Sequence, residues 1–112
     1  MEPSILKSTK KILGVAQDYT VFDQDIITYI NMAFSTLNQL DLSHTDGYSV
    51  TGYDSEWNDY LPDGANLNAI KTYIFLKVRL LFDPPTTSFA IESLSRQLDE
   101  VEWRLTTLQP TV

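Results

Sequence analysis

The stretch of sequence that decides the fold runs from Asn66 to Pro85 and reads NLNAIKTYIFLKVRLLFDPP. On a helical wheel of about 100° per residue, apolar side chains cover most of the circumference and most polar ones share one face. A helix that is apolar over so much of its surface must be surrounded by other elements. It is too short and too charged to cross a bilayer, which requires about 20 mostly apolar residues. The stretch therefore predicts the central helix of a bundle.

The end of this helix is marked by the sequence Asp83-Pro84-Pro85. A residue before proline disfavours the α conformation, and proline lacks the N–H that a continuing helix needs. The helix is therefore predicted to end near Phe82, where the chain turns into the next helix.

One charge, on Lys77, lies within the apolar arc of this helix. Its aliphatic stem can run past apolar neighbours while the ammonium reaches water. Otherwise Lys77 must pair with an acid, including one on a neighbouring subunit, because a lone buried ammonium is costly.

The length, composition and net charge of the chain limit the class of protein it can be. A length of 112 residues predicts one domain, residues 1–112. The absence of cysteine excludes disulfides and thiolate metal sites. No signal peptide is predicted, so a soluble protein made in a cytoplasm is expected. The net charge of −7 argues against binding a nucleic-acid backbone, which depends on Lys and Arg.

A first helix is predicted from about Pro3 to Leu13, with Gly14 placed to end it. It carries the one basic cluster of the chain, Lys7, Lys10 and Lys11. The simpler interpretation of this cluster is a solvated helix face, and the alternative is a surface for a partner.

A second helix is predicted from about Thr20 to about Leu40. Thr20 and Asp23 have the spacing of a capping box. The apolar side chains fall within an arc of about 140°, which makes this the clearest amphipathic helix of the chain. They are Phe22, Ile26, Tyr29, Ile30, Ala33, Phe34, Leu37 and Leu40.

The irregular segment from about 41 to 65 contains no Lys or Arg but six acids: Asp41, Asp46, Asp54, Glu56, Asp59 and Asp63. A short strand is predicted at 48–51, and one or two helical turns between Ser55 and Leu61, capped by Ser55. So long a loop is usually functional or mobile. The alternative is a connector ordered by three aromatic side chains that pack into the core: Tyr53, Trp57 and Tyr60.

A last helix is predicted from after Pro85 to about Leu108, capped by Thr86, Thr87 or Ser88. Its main apolar side chains repeat every 3.5 residues. They are Ile91, Leu94, Leu98, Val101, Leu105 and Leu108. The repeat covers fewer than three heptads, so packing on the central helix is preferred over a free-standing coiled coil.

The other side of the last helix carries Phe89, Arg96 and Trp103, which recur every seven residues among Glu92, Asp99 and Glu100. Trp and Arg are enriched in protein interfaces. A second apolar stripe opposite the first predicts a surface for a partner.

No motif for catalysis or cofactor binding is found. The sequence lacks a phosphate loop, a dinucleotide fingerprint and a zinc motif. A calcium loop around Gly47 would place ligands at Leu42, His44 and Tyr53, none of which carries a carboxylate. His44, the only histidine, has no nucleophilic residue at a spacing typical of a catalytic nucleophile–base pair. Acids at 23 and 25 are explained by the helix dipole. We therefore expect no enzyme, no cofactor and no metal.

Four segments resemble the head–tail connector proteins (head completion or adaptor proteins) of long-tailed bacteriophages. They are helix two from Phe22-Asp23, the Trp57 loop, the run from Lys71 to Pro85, and Glu102-Trp103-Arg104-Leu105. The resemblance covers about Ile5 to Leu105, and the run ending in Phe82-Asp83-Pro84-Pro85 is its most specific part.

The amphipathic and apolar stretches of helical length, with almost no strand signal, predict an all-α domain of about four to five helices with one long irregular loop. The resemblance likewise implies a small α-helical subunit. It implies a homo-oligomeric ring below the portal protein, matching the portal's symmetry, which continues the DNA channel toward the next head-completion or tail protein. It places the chain in the virion at the head–tail interface, and in the host cytoplasm during assembly, with no membrane. DNA would pass without sequence-specific binding.

Two groups of candidate residues follow from this interpretation. The candidate subunit or partner interface is Phe89, Arg96, Trp103, Lys7, Lys10, Lys11 and Lys77. The candidate channel-facing residues are Asp46, Asp54, Glu56 and Asp59.

Two other classes of protein compete with a connector. One is a small DNA-binding regulator of the helix-turn-helix type, which the acidic balance opposes. The other is a small helical enzyme, which the lack of a nucleophile–base or metal set opposes.

Overall fold

The computed structural model describes residues 3–40 and 47–108. The elements in chain order are α1 (Ile5–Leu13), α2 (Asp23–Gln39), α3 (Trp57–Tyr60), α4 (Ala65–Phe82) and α5 (Ser88–Leu108). These residues contain no strand beyond an isolated antiparallel bridge between Ser4 and Glu56. The predicted all-α fold is confirmed.

The central position belongs to α4, as its apolar circumference predicts. It packs against both α2 and α5, and α1 lies against α2 and α4. Its buried side chains are Leu67, Ile70, Tyr73, Ile74 and Val78. The predicted packing of the second, fourth and fifth helices is therefore confirmed, with α4 as their common neighbour.

The ends of three helices follow the local rules of the sequence. Gly14 ends α1 in the left-handed conformation, with a φ of 77° that a residue with a Cβ disfavours. Helix α4 ends at Phe82, before the two prolines. Thr87 caps α5, because its Oγ1 accepts the amide hydrogen of Ala90 at 3.2 Å.

The start of α2 differs from the prediction. The capping box of Thr20 and Asp23 does not form, and α2 begins at Asp23 without a side-chain cap. The Asp23 amide instead donates to the Thr20 carbonyl at 3.2 Å in a turn. Its carboxylate is used by Lys10 and Tyr53 from elsewhere in the fold.

The predicted strand at 48–51 is also wrong. The Asn31 side chain binds both backbone groups of Val50, accepting from its N–H at 2.7 Å and donating to its carbonyl at 3.0 Å. Because Asn31 satisfies the Val50 N–H and carbonyl, these groups do not pair with a neighbouring strand.

The predicted helical turns after Ser55 are present as α3, but Ser55 is not their cap. Its Oγ accepts the Thr51 amide hydrogen at 3.1 Å. At the start of α3, Asp59 Oδ2 accepts the Glu56 amide hydrogen at 2.9 Å.

The two long amphipathic helices bury most of their predicted apolar side chains. In α5, Leu94, Leu98 and Leu105 are buried, Val101 is half-buried, and Ile91 is exposed. The side chain of Leu108 lies outside the described residues. In α2 the exceptions are at the two ends, where Phe22 and Leu40 are exposed.

No helix among the described residues combines the length and apolar character needed to cross a membrane.

Candidate functional site

The outer face of α5, defined here as Phe89, Glu92, Arg96, Asp99, Glu100 and Trp103, points into solvent. Phe89 is 76% exposed and Trp103 is 66% exposed. Two large aromatic side chains on one solvent-facing stripe are unusual for a domain that buries its other tryptophan.

The orientation of this face is fixed by the residue next to Trp103. Glu102 accepts a hydrogen bond from the buried Tyr73 hydroxyl of α4 at 3.2 Å. Burial and the nearby charge of Glu102 raise the pKa of Tyr73, so its hydroxyl remains a donor. Successive helical residues differ by about 100°, so Trp103 turns away from the core when Glu102 turns toward it.

A groove lies between α1, α4 and α5 and consists of two adjoining cavities that share Ile12 and Phe75. The cavity toward α5 has a volume of about 440 Å³ and includes Leu76, Leu94 and, at its edge, Phe89 of the outer face. The cavity toward α3 has a volume of about 350 Å³ and includes Trp57. The groove is open to solvent, since Ile12 is 52% exposed.

The charged side chains that line the groove are all basic: Lys11, Lys71 and Arg79. The ammonium of Lys71 lies over the Trp57 ring, 5.5 Å from its centroid. No acid among the described residues lines either cavity. The groove therefore joins an apolar floor to a positive rim.

Sequence reasoning missed the groove. Ile12 belongs to the apolar stripe of α1, and that pattern predicts core rather than open surface. The one available signal was the shared polar face of α4, which carries Lys71 and Arg79. That α1 and α5 flank this face depends on the tertiary packing of three elements.

The most tightly held charge is Lys10, whose side chain is fully buried. Its ammonium lies 3.1 Å from the Gln17 carbonyl oxygen, 2.9 Å from that of Tyr19, and 2.9 Å from Tyr53 Oη. Asp23 Oδ1 is 2.8 Å from the same nitrogen. The Tyr53 hydroxyl donates to Asp23 Oδ2. We call Lys10, Asp23 and Tyr53 the Lys10 network.

The two charges of this network stabilise each other. Burial alone would raise the pKa of Asp23, but Lys10 and the Tyr53 hydroxyl outweigh it and lower that pKa. Burial alone would lower the pKa of Lys10, but Asp23 and Tyr53 outweigh it and raise that pKa. Both groups are therefore ionised at neutral pH.

The position of Lys10 corrects the predicted basic cluster. Lys7 and Lys11 are exposed, but Lys10 is internal and is satisfied by groups of its own chain. A buried ammonium needs such partners. Lys10 therefore belongs neither to a solvated face nor to an interface.

The acidic segment is anchored by aromatic side chains. Trp57 and Tyr60 are buried, and Tyr53 is half-buried against Lys10. Trp57 Nε1 donates to Ser8 Oγ at 3.2 Å, and Tyr60 stacks against Phe34 at 4.8 Å between ring centroids. The interpretation that aromatic packing orders this segment is confirmed for its described part.

The acidic side chains in the described part of the segment lie on the protein surface. Asp54, Glu56 and Asp59 are exposed. Asp46, the fourth candidate for a channel-facing role, lies outside the described residues together with Asp41 and His44.

A model of the family described as phage connector protein matches residues 5–111, a range that includes every helix of the described residues. The chain belongs to the phage connector protein family. No curated protein and no solved structure matches the chain.

Membership gives this connector a structural role in a bacteriophage, as the resemblance implied. Connectors are virion components that interact with parts of the phage head or tail, and the family is generally non-enzymatic. Within the described ranges, no group of three or more His, Cys, Asp or Glu side chains is placed to hold a metal ion.

Lys77 of the connector is half-buried on α4. The ion pairs found in the described part of the chain are Lys10–Asp23 and Glu100–Arg104, so Lys77 has no acid at ion-pair distance there. This agrees with a stem that runs past its apolar neighbours toward solvent.

Proposed function

We propose that this connector is a subunit of a homo-oligomeric ring at the head–tail interface of the virion. In this position it lies below the portal protein, meets the next head-completion or tail protein, and continues the DNA channel. Family membership supports the connector role. The observation that carries the ring is the exposed Trp103 on the outer face of α5.

The physical reason is the burial of apolar surface. Aromatic side chains dominate the binding energy of protein interfaces when a partner removes them from water. The tertiary fold leaves Phe89 and Trp103 largely in solvent. A neighbouring subunit or the portal would cover them, and a closed ring presents one such neighbour to every subunit.

The first test replaces Trp103. We expect Trp103→Ala to keep the helical circular dichroism and the unfolding midpoint of the parent, because the side chain is exposed. We expect the variant to be lost from purified particles of the phage that encodes the chain. Met32→Ala is the matched control, since Met32 is also a large exposed apolar side chain. Normal incorporation of the Trp103 variant would contradict the proposal.

The acidic segment provides a second part of the proposed function, a surface that faces the channel. Asp54, Glu56 and Asp59 are exposed, and residues 47–65 contain no Lys or Arg. DNA carries a charge about every 1.7 Å of its axis, so a negative wall repels it instead of holding it. At physiological salt the repulsion reaches roughly 8 Å, so the segment must lie close to the duplex.

Charge reversal tests this placement. With Asp54→Lys and Glu56→Lys together, we expect assembled particles whose DNA ejection or retention is altered. The matched control reverses two exposed acids elsewhere, Asp18→Lys and Asp25→Lys. Unchanged DNA delivery by the first variant would place the segment on the outside of the ring.

A helix-turn-helix regulator has less support. The family match is to connectors, and the net charge is −7. A gel shift at low salt would reveal such DNA binding.

A further inference from the structure

The groove has the composition of a docking surface for an acidic helix with an aromatic anchor. Its floor is apolar, with Phe75 and the exposed Ile12. Its charged lining is Lys11, Lys71 and Arg79 without an acid. The whole chain has 15 acids against 8 Lys and Arg, so this basic rim departs from the rest of the molecule. Complementary charge is what gives such a surface its choice of partner.

The outer face of α5 is mainly acidic, with Glu92, Asp99 and Glu100 against one base, Arg96. Trp103, in the C-terminal half of α5, is a large apolar side chain that is mostly exposed. Asp99 and Glu100 precede Trp103 by four and three residues, so they lie on the same side of the helix. Both acids are exposed, and Glu100 pairs with Arg104 of the same helix at 2.7 Å. An aromatic anchor with acidic flanks is what the groove would accept.

Trp103 and the groove lie on opposite sides of α5, whereas Phe89, at the start of the helix, lies at the edge of the groove. Leu94 lines the groove, and Trp103 follows it by nine residues, which corresponds to a rotation of about 180° around the helix. Trp103 therefore cannot reach the groove of its own chain. A contact between two different patches on opposite sides of a subunit repeats from one copy to the next.

We propose that the groove receives Trp103 of a second copy of this chain, with the acids beside Trp103 facing the basic rim. The proposal rests on the proposed function as a ring subunit and names its two contact surfaces. Of the predicted cluster of Lys7, Lys10 and Lys11, only Lys11 contributes to the acceptor, because Lys10 is internal and Lys7 does not line the groove.

Cross-linking in assembled particles tests the contact. The chain contains no cysteine, so introduced thiols are the only ones it carries. Asn68→Cys places a thiol in the groove, and Thr106→Cys places one near Trp103; both positions are exposed. Neither substitution touches Trp103 or the basic rim. Particles with the doubly substituted chain are treated with a short bis-maleimide and analysed by denaturing electrophoresis.

We expect a ladder of covalent multimers from this pair of thiols. Gln24→Cys with Thr106→Cys is the matched control, because Gln24 is exposed on α2 away from the groove, and it should give no ladder. Particles that contain the doubly substituted chain without a ladder would overturn the docking and leave the ring proposal standing. Dimers from Thr106→Cys alone would overturn it too, since they show α5 against α5.

A different result would count against the proposed function itself. If the cysteine-free parent chain is absent from purified particles, the role as a ring subunit fails, and the docking contact that rests on it fails as well.

A charge swap tests the polar part of the contact. We expect Lys11→Glu to lower incorporation into particles by about two- to fivefold, the effect of losing one exposed ion pair. Adding Asp99→Lys should restore it. Lys7→Glu is the control, since Lys7 is an exposed lysine of α1 outside the groove. A double variant no better than Lys11→Glu alone would contradict the pairing of these two surfaces.

Discussion

At the scale of single residues, the Lys10 network is the feature with the largest expected effect on stability. The Lys10 side chain is fully buried, and the Asp23 side chain is 14% exposed. Removal of one partner from a buried ion pair leaves an uncompensated charge, which is far more destabilising than removal of both.

We expect Asp23→Ala to lower the free energy of unfolding by about 3–5 kcal/mol, because it leaves the Lys10 ammonium without its carboxylate. The double variant Lys10→Met with Asp23→Leu should lose less than Asp23→Ala alone. Asp25→Ala is the matched control, since Asp25 lies in the same helical turn and is exposed. Urea denaturation measures all three. Equal losses for the Asp23 and Asp25 variants would contradict this account.

The same network predicts a dependence of stability on pH. The folded-state pKa of Asp23 is lowered, so its contribution is fully present above the ordinary carboxyl pKa and is lost as pH falls through the lowered value. The pKa of Lys10 is raised, so its contribution is present below the ordinary lysine pKa and is lost as pH rises through the raised value.

We therefore expect the stability difference between the parent and Asp23→Asn to be constant near neutral pH and to shrink below about pH 4. Comparison with the variant isolates this residue from the other carboxylates. Urea midpoints measured from pH 7 to pH 3 would show it. A difference that grows on acidification would reverse the sign of the linkage.

At the scale of elements, α5 separates its two faces sharply. One face packs on α4 through Leu94, Leu98 and Leu105, and the other carries exposed aromatic side chains. Ile91, the first residue of the 3.5-residue apolar repeat, is 38% exposed. The 3.5-residue pattern thus predicts the direction of the core but not how far along the helix the core extends.

This difference within one repeat can be measured. We expect Leu98→Ala to cost about 2–5 kcal/mol of unfolding free energy, because it removes a buried side chain and leaves a cavity. Ile91→Ala should cost less than about 1 kcal/mol, because its site is already open to water. Chemical denaturation of both variants is the measurement. A loss below 1 kcal/mol for Leu98→Ala would show that the repeat is not buried.

The elements also show what could be predicted from sequence. The ends of α1 and α4 depend on Gly14 and on Pro84 and Pro85, which act locally, and both were predicted correctly. The Thr20–Asp23 capping box was wrong, because Lys10 and Tyr53 compete for the Asp23 carboxylate. Tyr53 is 43 residues from Lys10 in the chain, so no local sequence pattern predicts that both bind the Asp23 carboxylate.

At the scale of the whole molecule, charge is distributed unevenly. Most of the exposed acids among the described residues lie on the segment before α4 and on the outer face of α5, whereas Lys11, Lys71 and Arg79 converge on the groove. A negative net charge keeps separate copies apart in dilute solution, and local complementarity favours one relative orientation when they meet.

Raising NaCl from 0.1 M to 1 M shortens the screening length from about 10 Å to about 3 Å and weakens both the net repulsion and the local ion pairs. The variant Lys11→Gln with Asp99→Asn has the same net charge as the parent, so it shares the repulsion but lacks one ion pair. By light scattering over a concentration series, we expect the parent to attract more strongly than the variant at 0.1 M NaCl and equally at 1 M. Attraction that strengthens equally with salt in both proteins would indicate a contact without ion pairs.

The Lys10 network also has a consequence for the order in which the chain folds. Helices α4 and α5 are neighbours in sequence and can pair early, whereas the Lys10 network must close a loop of 43 residues between Lys10 and Tyr53. Contacts that form after the transition state slow unfolding and leave the folding rate unchanged. We expect Tyr53→Phe to speed unfolding alone and Leu98→Ala to slow folding, as stopped-flow kinetics would resolve. Helix α1 would then be the last helix to pack during folding and the first to detach during unfolding.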